Sequence, residues 1–590
     1  MSKQSITAPS WDLSDFYQSI DDKKISQDLV LIEKEVKKFH DNFFGKILKL
    51  EAKDLLKSVK NYEEISEKIG KISSYSYLIY ASDLSNQKNI SFHQNITEKL
   101  TVISSSLIFY TLELNKINEK KLELFFKKSA ELKKYQPFFR DLRFFKKHQL
   151  SQDLEKFSLE KNVTSRAAFV RLFDETVNNL EFKYQNKTLN SQEIFNLMSH
   201  QKEKVRKDAA ISIAKTLEKN AKLFAFITNI LAKDKAVEDE WRGFKNPMSS
   251  RNLNNFVEDE VVDILIKKVK ENYKNISHRY YKIKAKILGK KSLNYWDRNA
   301  PLSQKKEKLI PFKAAQDLVL QAYEEFHPEM KKVGSLFFDK KWIDAKVKSG
   351  KDSGAFSHPC TPSIHPFILM NYQGKVRDVM TLAHELGHGV HQYLARSCGA
   401  LMCDTPLTLA ETASVFGEQL TFQKILKNEK NLAAKKIIIA SKVEDMINTA
   451  VRQIAFLEFE RKIHDERKKG EISLEKICEF WMEVQKESLG GAFKFDESYR
   501  FFWSYIPHFI HSPFYVYSYA FGECLVNSLY GVYKSGKIKN FETKYLEMLK
   551  SGGKNHHKEM LQPFGLSAHN PEFWQAGLDV IIDYINQLDC

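Results

Sequence analysis

The sequence predicts a mainly α-helical protein with a small β-sheet near the middle of the chain. Glycine and proline interrupt helices and strands. The 590 residues contain only 22 glycines and 14 prolines, and both residue types are below their usual frequencies of about 7% and about 5%. Apolar residues recur at spacings of three and four from Lys24 to about Ala130, which is typical of long helices. Residues 352–376 differ, because glycine, serine and proline precede a short apolar run. We therefore expect antiparallel helices first and a strand in this central segment.

The remaining elements are predicted from the same patterns. Within the mixed region 132–200, "SRAAFVRLFDETVNNL" predicts a helix and "LEFKYQNKTLN" a short strand and turn. Helical periodicity resumes at Glu203. A strand is expected at Phe367–Tyr372, and a Gln-Gly turn then leads into a helix that starts near Val376. A second helix is expected at about Leu407–Lys427, and long helices continue to the C-terminus.

Charge and cysteine usage limit the classes of function. The chain carries 92 Lys+Arg and 75 Asp+Glu, a net charge of +17. A basic balance can indicate nucleic acid or an anionic membrane. Here the lysines are interspersed with acidic residues, so solvated helix faces explain them and we expect neither partner. No run approaches 18 apolar residues, the start of the chain lacks an apolar signal core, and all six cysteines lie from Cys360 onward without a Cys-x-x-Cys pair. These features predict a cytoplasmic protein.

The stretch "TLAHELGHGVHQ" carries the strongest chemical signal. In a helix, His384 and His388 are four residues apart on one face, so both imidazoles can reach one Zn²⁺ ion. Glu385 is rotated by about 100° from His384, so it can flank the metal and accept a proton from the water bound to it. His391 lies two turns from His384, too far to share its metal. The spacing therefore predicts a catalytic zinc site with two histidine ligands and Glu385 as general base.

A catalytic zinc site needs a third protein ligand and one open position. Glu411, in "LTLAETASVFGEQL" on the next predicted helix, is the preferred candidate because it is nearer in sequence and has small, apolar neighbours. Glu418 is the competitor, seven residues later on the same face. If Glu411 binds the metal, Glu418 supports a ligand, faces the substrate or is simply solvated.

These motifs resemble those of the thimet oligopeptidase and oligoendopeptidase F family of zinc peptidases, and are most similar to the oligoendopeptidase F branch. The resemblance covers nearly the whole chain and includes "WDLSDFY", "SRAAFVRLFDE", "YWDRNAP", "HPFILMNYQGKVRDVMTLAHELGHGVHQ", "LAETASVFGE" and "YIPHFIHSPFYVYSYAFGE". It implies two helical halves that enclose a deep substrate channel, with a small sheet next to the zinc-binding helix, as in zincins. It also implies one Zn²⁺ per chain, bound by His384, His388 and Glu411, with Glu385 as the base.

The same family uses a late segment that contains histidine and tyrosine, here "PHFIHSPFYVYSYAFGE". Zinc peptidases need donors for the oxyanion that forms at the scissile carbonyl. We expect His508 to contact substrate or transition state and Tyr517 to be the oxyanion donor, with Tyr515 next. His511 and Tyr519 are the other candidates. The alternative is an aromatic helix that only packs against the core.

The resemblance implies a zinc metalloendopeptidase that hydrolyses internal bonds of short unfolded oligopeptides. The alternative is a zinc exopeptidase of similar helical fold, of the carboxypeptidase or dipeptidase type. We also expect the strand "HPFILMNY" to expose an edge that pairs with a peptide backbone. The chain is predicted to divide into an N-terminal helical domain, 1–200, whose end is mixed, and a zinc metallopeptidase domain, 201–590. The oligomeric state, monomer or homo-oligomer, stays open.

Overall fold

The computed structural model describes residues 8–302 and 309–589. Helices dominate it, as predicted, and strands are few and short. The α-helices are α1 (Lys23–Phe43), α2 (Ala52–Ser82), α3 (Gln87–Ser105), α4 (Ile108–Lys116), α5 (Glu119–Lys128), α6 (Ala130–Lys133), α7 (Gln136–Phe144), α8 (Gln152–Asn162), α9 (Arg166–Asn178), α10 (Ser191–Leu197), α11 (Glu203–Trp241), α12 (Ser249–Asn254), α13 (Asp259–Glu271), α14 (Arg279–Ile287), α15 (Phe312–Phe326), α16 (Pro328–Asp339), α17 (Val376–Ala395), α18 (Leu407–Asn428), α19 (Leu432–Thr449), α20 (Val451–Arg467), α21 (Leu474–Leu489), α22 (His508–His511), α23 (Tyr517–Ser535), α24 (Phe541–Lys550), α25 (His557–Leu561) and α26 (Pro571–Asp589).

The strands form three small sheets. They are β1 (Phe182–Tyr184), β2 (Lys187–Leu189), β3 (Leu293–Asn294), β4 (Ile343–Asp344), β5 (Phe356–His358), β6 (Phe367–Leu369) and β7 (Phe493–Lys494). β1 and β2 form the antiparallel hairpin predicted from "LEFKYQNKTLN". β3 pairs with β7 in parallel, and the third sheet has the order β4-β6-β5.

The chain divides into two compact units, each built from separated segments. The first contains the described residues of Met1–Lys147, Glu307–Asn428 and Val532–Ser567, and the second those of His148–Lys306, Glu429–Gly531 and Ala568–Cys590. The predicted division into domains at residue 200 stays a prediction. Among the described residues, none of the helices is both long and apolar enough to cross a lipid bilayer. The expectation about a signal segment falls partly on residues 1–7, outside the described residues.

The sheet in the first unit corrects one expectation from the sequence. β6 pairs with β4 on one side, Ile368 opposite Ile343, and with β5 on the other, Ile368 opposite Ser357. It is therefore the central strand, and its backbone is already paired on both sides. The expectation that "HPFILMNY" exposes an edge for a peptide is wrong. The sequence could not reveal this, because the pairing residues of β4 are only two and show no alternation.

This sheet lies next to α17, as predicted. Ser357 Oγ donates a hydrogen bond to Gln392 Oε1 at 2.8 Å, and Gln392 Nε2 donates to the Ser357 carbonyl at 3.1 Å. The two bonds tie strand β5 to helix α17, which carries the His-Glu-x-x-His motif. β5 is an edge strand of this sheet.

Helix α18 is fixed in the core of the first unit by aromatic side chains. Its Phe416 packs against Phe326 of α15 and Tyr545 of α24, with ring centroids 5.0 and 4.5 Å apart. The Tyr545 hydroxyl also donates to the Thr412 carbonyl at 2.7 Å. All three rings are buried, so α18 has a defined position relative to its neighbours in this unit.

Candidate active site

Helix α17 begins at Val376 and carries both histidines of the motif on one face. Asp378 caps its N-terminus, because the carboxylate accepts hydrogen bonds from the backbone N–H groups of Gln373 and Lys375 at 2.8 and 3.0 Å. A carboxylate is stabilised there by the helix dipole as well. The rings of His384 and His388 follow with centroids 4.8 Å apart. The predicted i, i+4 pair is thus placed by a capped helix.

Glu411 of α18 faces this pair. Its Oε2 lies 3.4 Å from Nε2 of His384 and 3.4 Å from Nε2 of His388. One ligand atom from each of the three residues lies within 4.8 Å of the others, and among the described residues this is the cluster that could hold a metal ion. Each of the three side chains is about one-fifth exposed, between 17% and 24%. They therefore converge on a point that remains open on one side.

The close approach of α17 and α18 depends on Gly387. A Cβ atom at this position would lie 2.4 Å from the Ala413 carbonyl oxygen and 2.7 Å from the Ser414 Cα. Both are backbone atoms, which cannot move without shifting the helix. Glycine between the two histidines therefore lets α18 come near enough for Glu411 to reach them.

Two further side chains hold the candidate ligands in place. Ser414 Oγ donates to Glu411 Oε2 at 2.7 Å, on the same oxygen that faces the histidines. Nδ1 of His384 lies 2.8 Å from Oε1 of Glu418 and donates to it. The sequence leaves three roles open for Glu418 and carries no signal for Ser414. The structure places Glu418 behind His384, on the ring nitrogen that faces away from Glu411.

The charges of these groups are coupled. Burial lowers the pKa of His384, but the carboxylates of Glu418 and Glu411 outweigh it and raise that pKa to about 10. Burial raises the pKa of Glu411, but His388 and His384 outweigh it and hold this pKa well below its usual range. For Glu385, burial dominates and raises the pKa, although the two histidines oppose it. A buried carboxyl with a raised pKa has the character of a general base or acid.

His391 does not belong to the candidate metal cluster. It is buried, and its Nε2 lies 3.3 Å from Thr405 Oγ1. Burial, and then the charge of His388, lowers the pKa of His391 to about 4, so its ring is neutral near pH 7. A cavity of about 240 Å³ lies beside His388, and His391, Gln392 and Arg396 line it. The third histidine of the motif thus faces a cavity rather than the cluster.

The predicted histidine and tyrosines of the late segment lie in the second unit. His508 begins the short helix α22, and its Nε2 is 3.4 Å from the hydroxyl of Tyr519 in α23. The Tyr515 ring is nearly parallel to that of His508, with centroids 6.4 Å apart, and edge-on to that of Tyr519, with centroids 5.2 Å apart. His508, Tyr515 and Tyr519 therefore form one group.

Tyr517 faces another direction. It is fully buried, and its hydroxyl accepts a hydrogen bond from Nδ2 of Asn255 at 2.8 Å. Burial raises the pKa of Tyr517 above its ordinary value. To donate to an oxyanion, the buried Tyr517 hydroxyl would have to become accessible to substrate. Tyr519, which already faces His508, needs no such change.

Comparison with known proteins places this geometry in a family. Residues 196–580 match a family model described as peptidase family M3, and residues 113–182 match one described as oligopeptidase F. An oligoendopeptidase F homolog of Borreliella burgdorferi is 30% identical over 564 residues, which cover 94% of this chain and 93% of that protein. Oligopeptidase PepF of Bacillus subtilis is 25% identical over 558 residues, which cover 91% of this chain and 81% of that protein.

A solved structure shares the fold. The crystal structure of oligoendopeptidase-F from Enterococcus faecium superposes with a TM-score of 0.74 at 19% identity, and the match covers 96% of this chain and 98% of that one. The resemblance seen in the motifs is confirmed by these matches, since the M3 model alone spans more than half of the sequence. The chain belongs to peptidase family M3 and is a metalloendopeptidase related to oligoendopeptidase F.

Proposed function

We propose that this chain is a zinc-dependent endopeptidase that hydrolyses internal bonds of short unfolded oligopeptides, with Glu385 as general base. One observation carries the proposal: Nε2 of His384, Nε2 of His388 and Oε2 of Glu411 converge, with both histidine-to-glutamate distances at 3.4 Å. Glu385 follows His384 directly on the same helix. Family membership supports the reaction class.

The donor set fits a zinc ion. Ligand atoms that bind Zn²⁺ tetrahedrally at 2.0–2.1 Å are about 3.4 Å from one another, which agrees with the two distances between Glu411 and the histidines. Two imidazoles and one carboxylate are a common catalytic set that leaves a fourth position open. We therefore propose one Zn²⁺ per chain, held by His384, His388 and Glu411.

The chain's own residues then have separate tasks. A bound Zn²⁺ supplies Lewis acidity, which polarises a carbonyl and acidifies water. Glu385 accepts the proton of the attacking water and passes it to the leaving amine. Ser414 and Glu418 keep Glu411 and His384 in their orientations through their hydrogen bonds.

Stabilisation of the oxyanion is assigned to the late segment. His508 is proposed to contact the substrate or the transition state. Among the tyrosines, we propose Tyr519 and Tyr515 before Tyr517, because Tyr517 is buried and bonded to Asn255. This order reverses the preference from the sequence, which placed Tyr517 first.

The proposed partners are oligopeptides, without nucleic acid or membrane. The five described cysteines, Cys360, Cys398, Cys403, Cys478 and Cys524, are free thiols. Free thiols suit a reducing compartment, and we propose that the protein acts in the cytoplasm.

A metal assay combined with a peptide digest tests the proposal. The purified protein should contain one zinc per chain and should cut a peptide that is acetylated at its N-terminus and amidated at its C-terminus. A chelator should abolish cleavage, and added zinc should restore it. Mass spectrometry of the products distinguishes the alternatives, because internal cuts exclude a strict exopeptidase.

The variant Glu411→Ala tests the ligand set in the same assay. We expect it to lose zinc and cleavage together. If it kept one zinc per chain, Glu411 would not be the third ligand, and Glu418, the competitor from the sequence, would be the next residue to test.

A further inference from the structure

Two arginines of the second unit lie close together without acidic partners. Arg298 follows the single turn Tyr295–Asp297 in the motif "YWDRNAP", and Arg452 is the second residue of α20. Burial lowers the pKa of Arg452, and the positive charge of Arg298 lowers it further. Arg298 also donates to Asn448, which is four residues before Arg452 in the sequence, so the two like charges share one region and call for a compensating group.

We propose that Arg298 and Arg452 form a binding site for a carboxylate group. The site lies wholly within the second unit. It requires neither the metal nor Glu385. Its basis is the set of hydrogen-bond donors that these two side chains leave unused.

A guanidinium has five N–H donors. For Arg298, Nη2 donates to Oδ1 of Asn448 at 3.0 Å. Arg452 lies over the ring of Phe456, 4.9 Å from its centroid. Nε of each arginine is buried and has no hydrogen-bond partner. Both side chains keep partial exposure, so their remaining donors can be reached.

Two carboxylates of this region are already paired with other cations. Asp297, adjacent to Arg298 in sequence, is fully buried and pairs with Arg206 at 2.7 Å and Lys290 at 2.6 Å. Glu444 pairs with Lys284 and accepts from the Tyr280 hydroxyl at 2.7 Å. Across residues 8–302 and 309–589, no carboxylate forms an ion pair with Arg298 or Arg452.

The local charge is therefore positive, and no carboxylate in the described part of the chain neutralises it. A buried charge without a partner is costly, and removing it from water is offset only by a counter-charge in good geometry. A bound anion would relieve the repulsion between the two arginines and use their free donors. The protein thus gains stability when such an anion binds.

The geometry favours a planar carboxylate. Guanidinium groups bind carboxylates through two parallel hydrogen bonds. Tyr281 and Tyr499 lie beside Arg298. Burial raises the pKa of both tyrosines, and the positive charge of Arg298 opposes that rise. Their hydroxyl oxygens are neutral neighbours of Arg298, and the Tyr499 hydroxyl already donates to Oε1 of Gln485 at 3.1 Å, so neither tyrosine supplies the missing negative charge.

His508 connects this site with the proposed peptide substrate. Burial, then His511 and then the charge of Arg452, lowers the pKa of His508, so Arg452 lies within electrostatic reach of the residue proposed to contact substrate. Every unmodified peptide ends in a carboxylate. If the proposed function holds, the C-terminal carboxylate of a peptide is one source of the ligand. A small free carboxylate such as acetate is the other.

Binding is measured with the full chain carrying Glu385→Gln, so that no turnover is needed. The probe is a short peptide of uncharged residues with a fluorophore at its N-terminus, as the free acid and as the C-terminal amide. By fluorescence anisotropy, the acid should bind at least about tenfold more tightly than the amide, since hydrogen bonds to charged groups are the stronger ones. Arg452→Met and Arg298→Met should remove that difference and leave the affinity for the amide unchanged.

Arg461→Met is the matched control. Arg461 lies on the same helix as Arg452, but it is 40% exposed and paired with Glu458 at 3.1 Å. It should keep the preference for the acid. Where a methionine variant fails to fold, Arg452→Lys retains the charge but loses the planar fork, and it should reduce the preference for the acid without abolishing it.

A second measurement separates the two sources. Acetate, compared with acetamide at equal ionic strength, should raise the melting temperature of the wild type but not that of Arg452→Met. If acetate stabilises and the peptide acid and amide bind equally, the site takes free carboxylates. If acetate has no effect and the acid and amide bind alike, the site does not exist. Neither fluorescence anisotropy nor the melting temperature requires zinc or cleavage. If the proposed peptidase function fails, these two measurements still report whether the carboxylate site exists.

Discussion

His384 Nδ1 lies 2.8 Å from Glu418 Oε1, while Nε2 of the same ring is 3.4 Å from Oε2 of Glu411. The two nitrogens of one imidazole therefore face two different carboxylates. A histidine that binds a metal is neutral, and in the neutral ring donation from Nδ1 to Glu418 selects the tautomer whose Nε2 lone pair points toward the convergence point. Glu418 is a positioning residue for His384.

Replacing Glu418 by alanine should weaken zinc binding without removing the three ligands. Loss of a carboxylate behind a ligand histidine typically costs about 10- to 100-fold in metal affinity. Glu418→Gln keeps an acceptor oxygen and should lose less. Competition with a chromogenic chelator measures both affinities. Equal zinc affinity in the wild type and the alanine variant would contradict this role.

Glu385→Gln should bind zinc like the wild type and lose turnover by about a hundred- to ten-thousand-fold. The amide is nearly isosteric with the carboxyl, but it cannot accept the proton of water. Zinc content by mass spectrometry and cleavage of the doubly blocked peptide are the two measurements. A fully active, zinc-loaded variant would mean that another group is the base.

Tyr519→Phe and Tyr517→Phe form a matched pair, because each removes one hydroxyl from α23. Tyr519→Phe should lower kcat by about 100-fold or more, as expected for loss of an oxyanion donor, and leave stability unchanged. Tyr517→Phe should instead lower stability by about 1 kcal/mol, because Asn255 loses one of its buried hydrogen bonds and keeps the one to Ser518, with little effect on kcat. The reverse outcome would restore Tyr517 as the donor.

Gly387→Ala should separate α17 from α18. The added methyl would meet the backbone of Ala413 at 2.4 Å and of Ser414 at 2.7 Å, so we expect a loss of about 1–3 kcal/mol in stability and weaker zinc binding through displacement of Glu411. Gly491→Ala is the control, because nothing lies within 4 Å of its added Cβ. Thermal unfolding and zinc competition measure both. Unchanged zinc affinity in Gly387→Ala would show that the helices can separate without moving the ligand.

Much of the first unit's site could be predicted because helical periodicity fixes it. The spacing of His384 and His388 places them on one face in any α-helix. The start of α17 was predicted at Val376, and α18 was predicted within one residue of its observed bounds. The small residue between the histidines permits the contact that brings Glu411 near.

The rest depends on contacts between residues distant in sequence. Tyr517 and Tyr519 are two positions apart, so on a helix they point in different directions, and both have apolar neighbours. What separates them is Asn255, 262 residues before Tyr517, which binds that hydroxyl. Likewise the centre of a sheet cannot be told from its edge when β4 contributes only two residues.

The second unit also contains a carboxyl group that should make stability depend on pH. Glu460 of α20 is buried, with Oε1 accepting from the backbone N–H of Phe514 at 2.8 Å and Oε2 buried without a partner. Burial raises the pKa of Glu460 from 4.5 to about 8, although the Phe514 N–H, Arg251 and Lys235 oppose it. Phe514 has a φ of 58°, a left-handed conformation that this hydrogen bond helps to hold.

Because the folded protein binds this proton more tightly than the unfolded chain, stability should fall as pH rises from about 4.5 to about 8. Glu460→Gln removes the titration and keeps the acceptor for Phe514. The variant should therefore match the wild type near pH 5 and exceed it at pH 8.5, by on the order of 2 kcal/mol. Urea unfolding at both pH values measures the difference. An advantage that is the same at both would mean that Glu460 does not titrate in this range, and a variant less stable than the wild type at pH 8.5 would mean that its carboxylate is stabilised by Arg251 and Lys235.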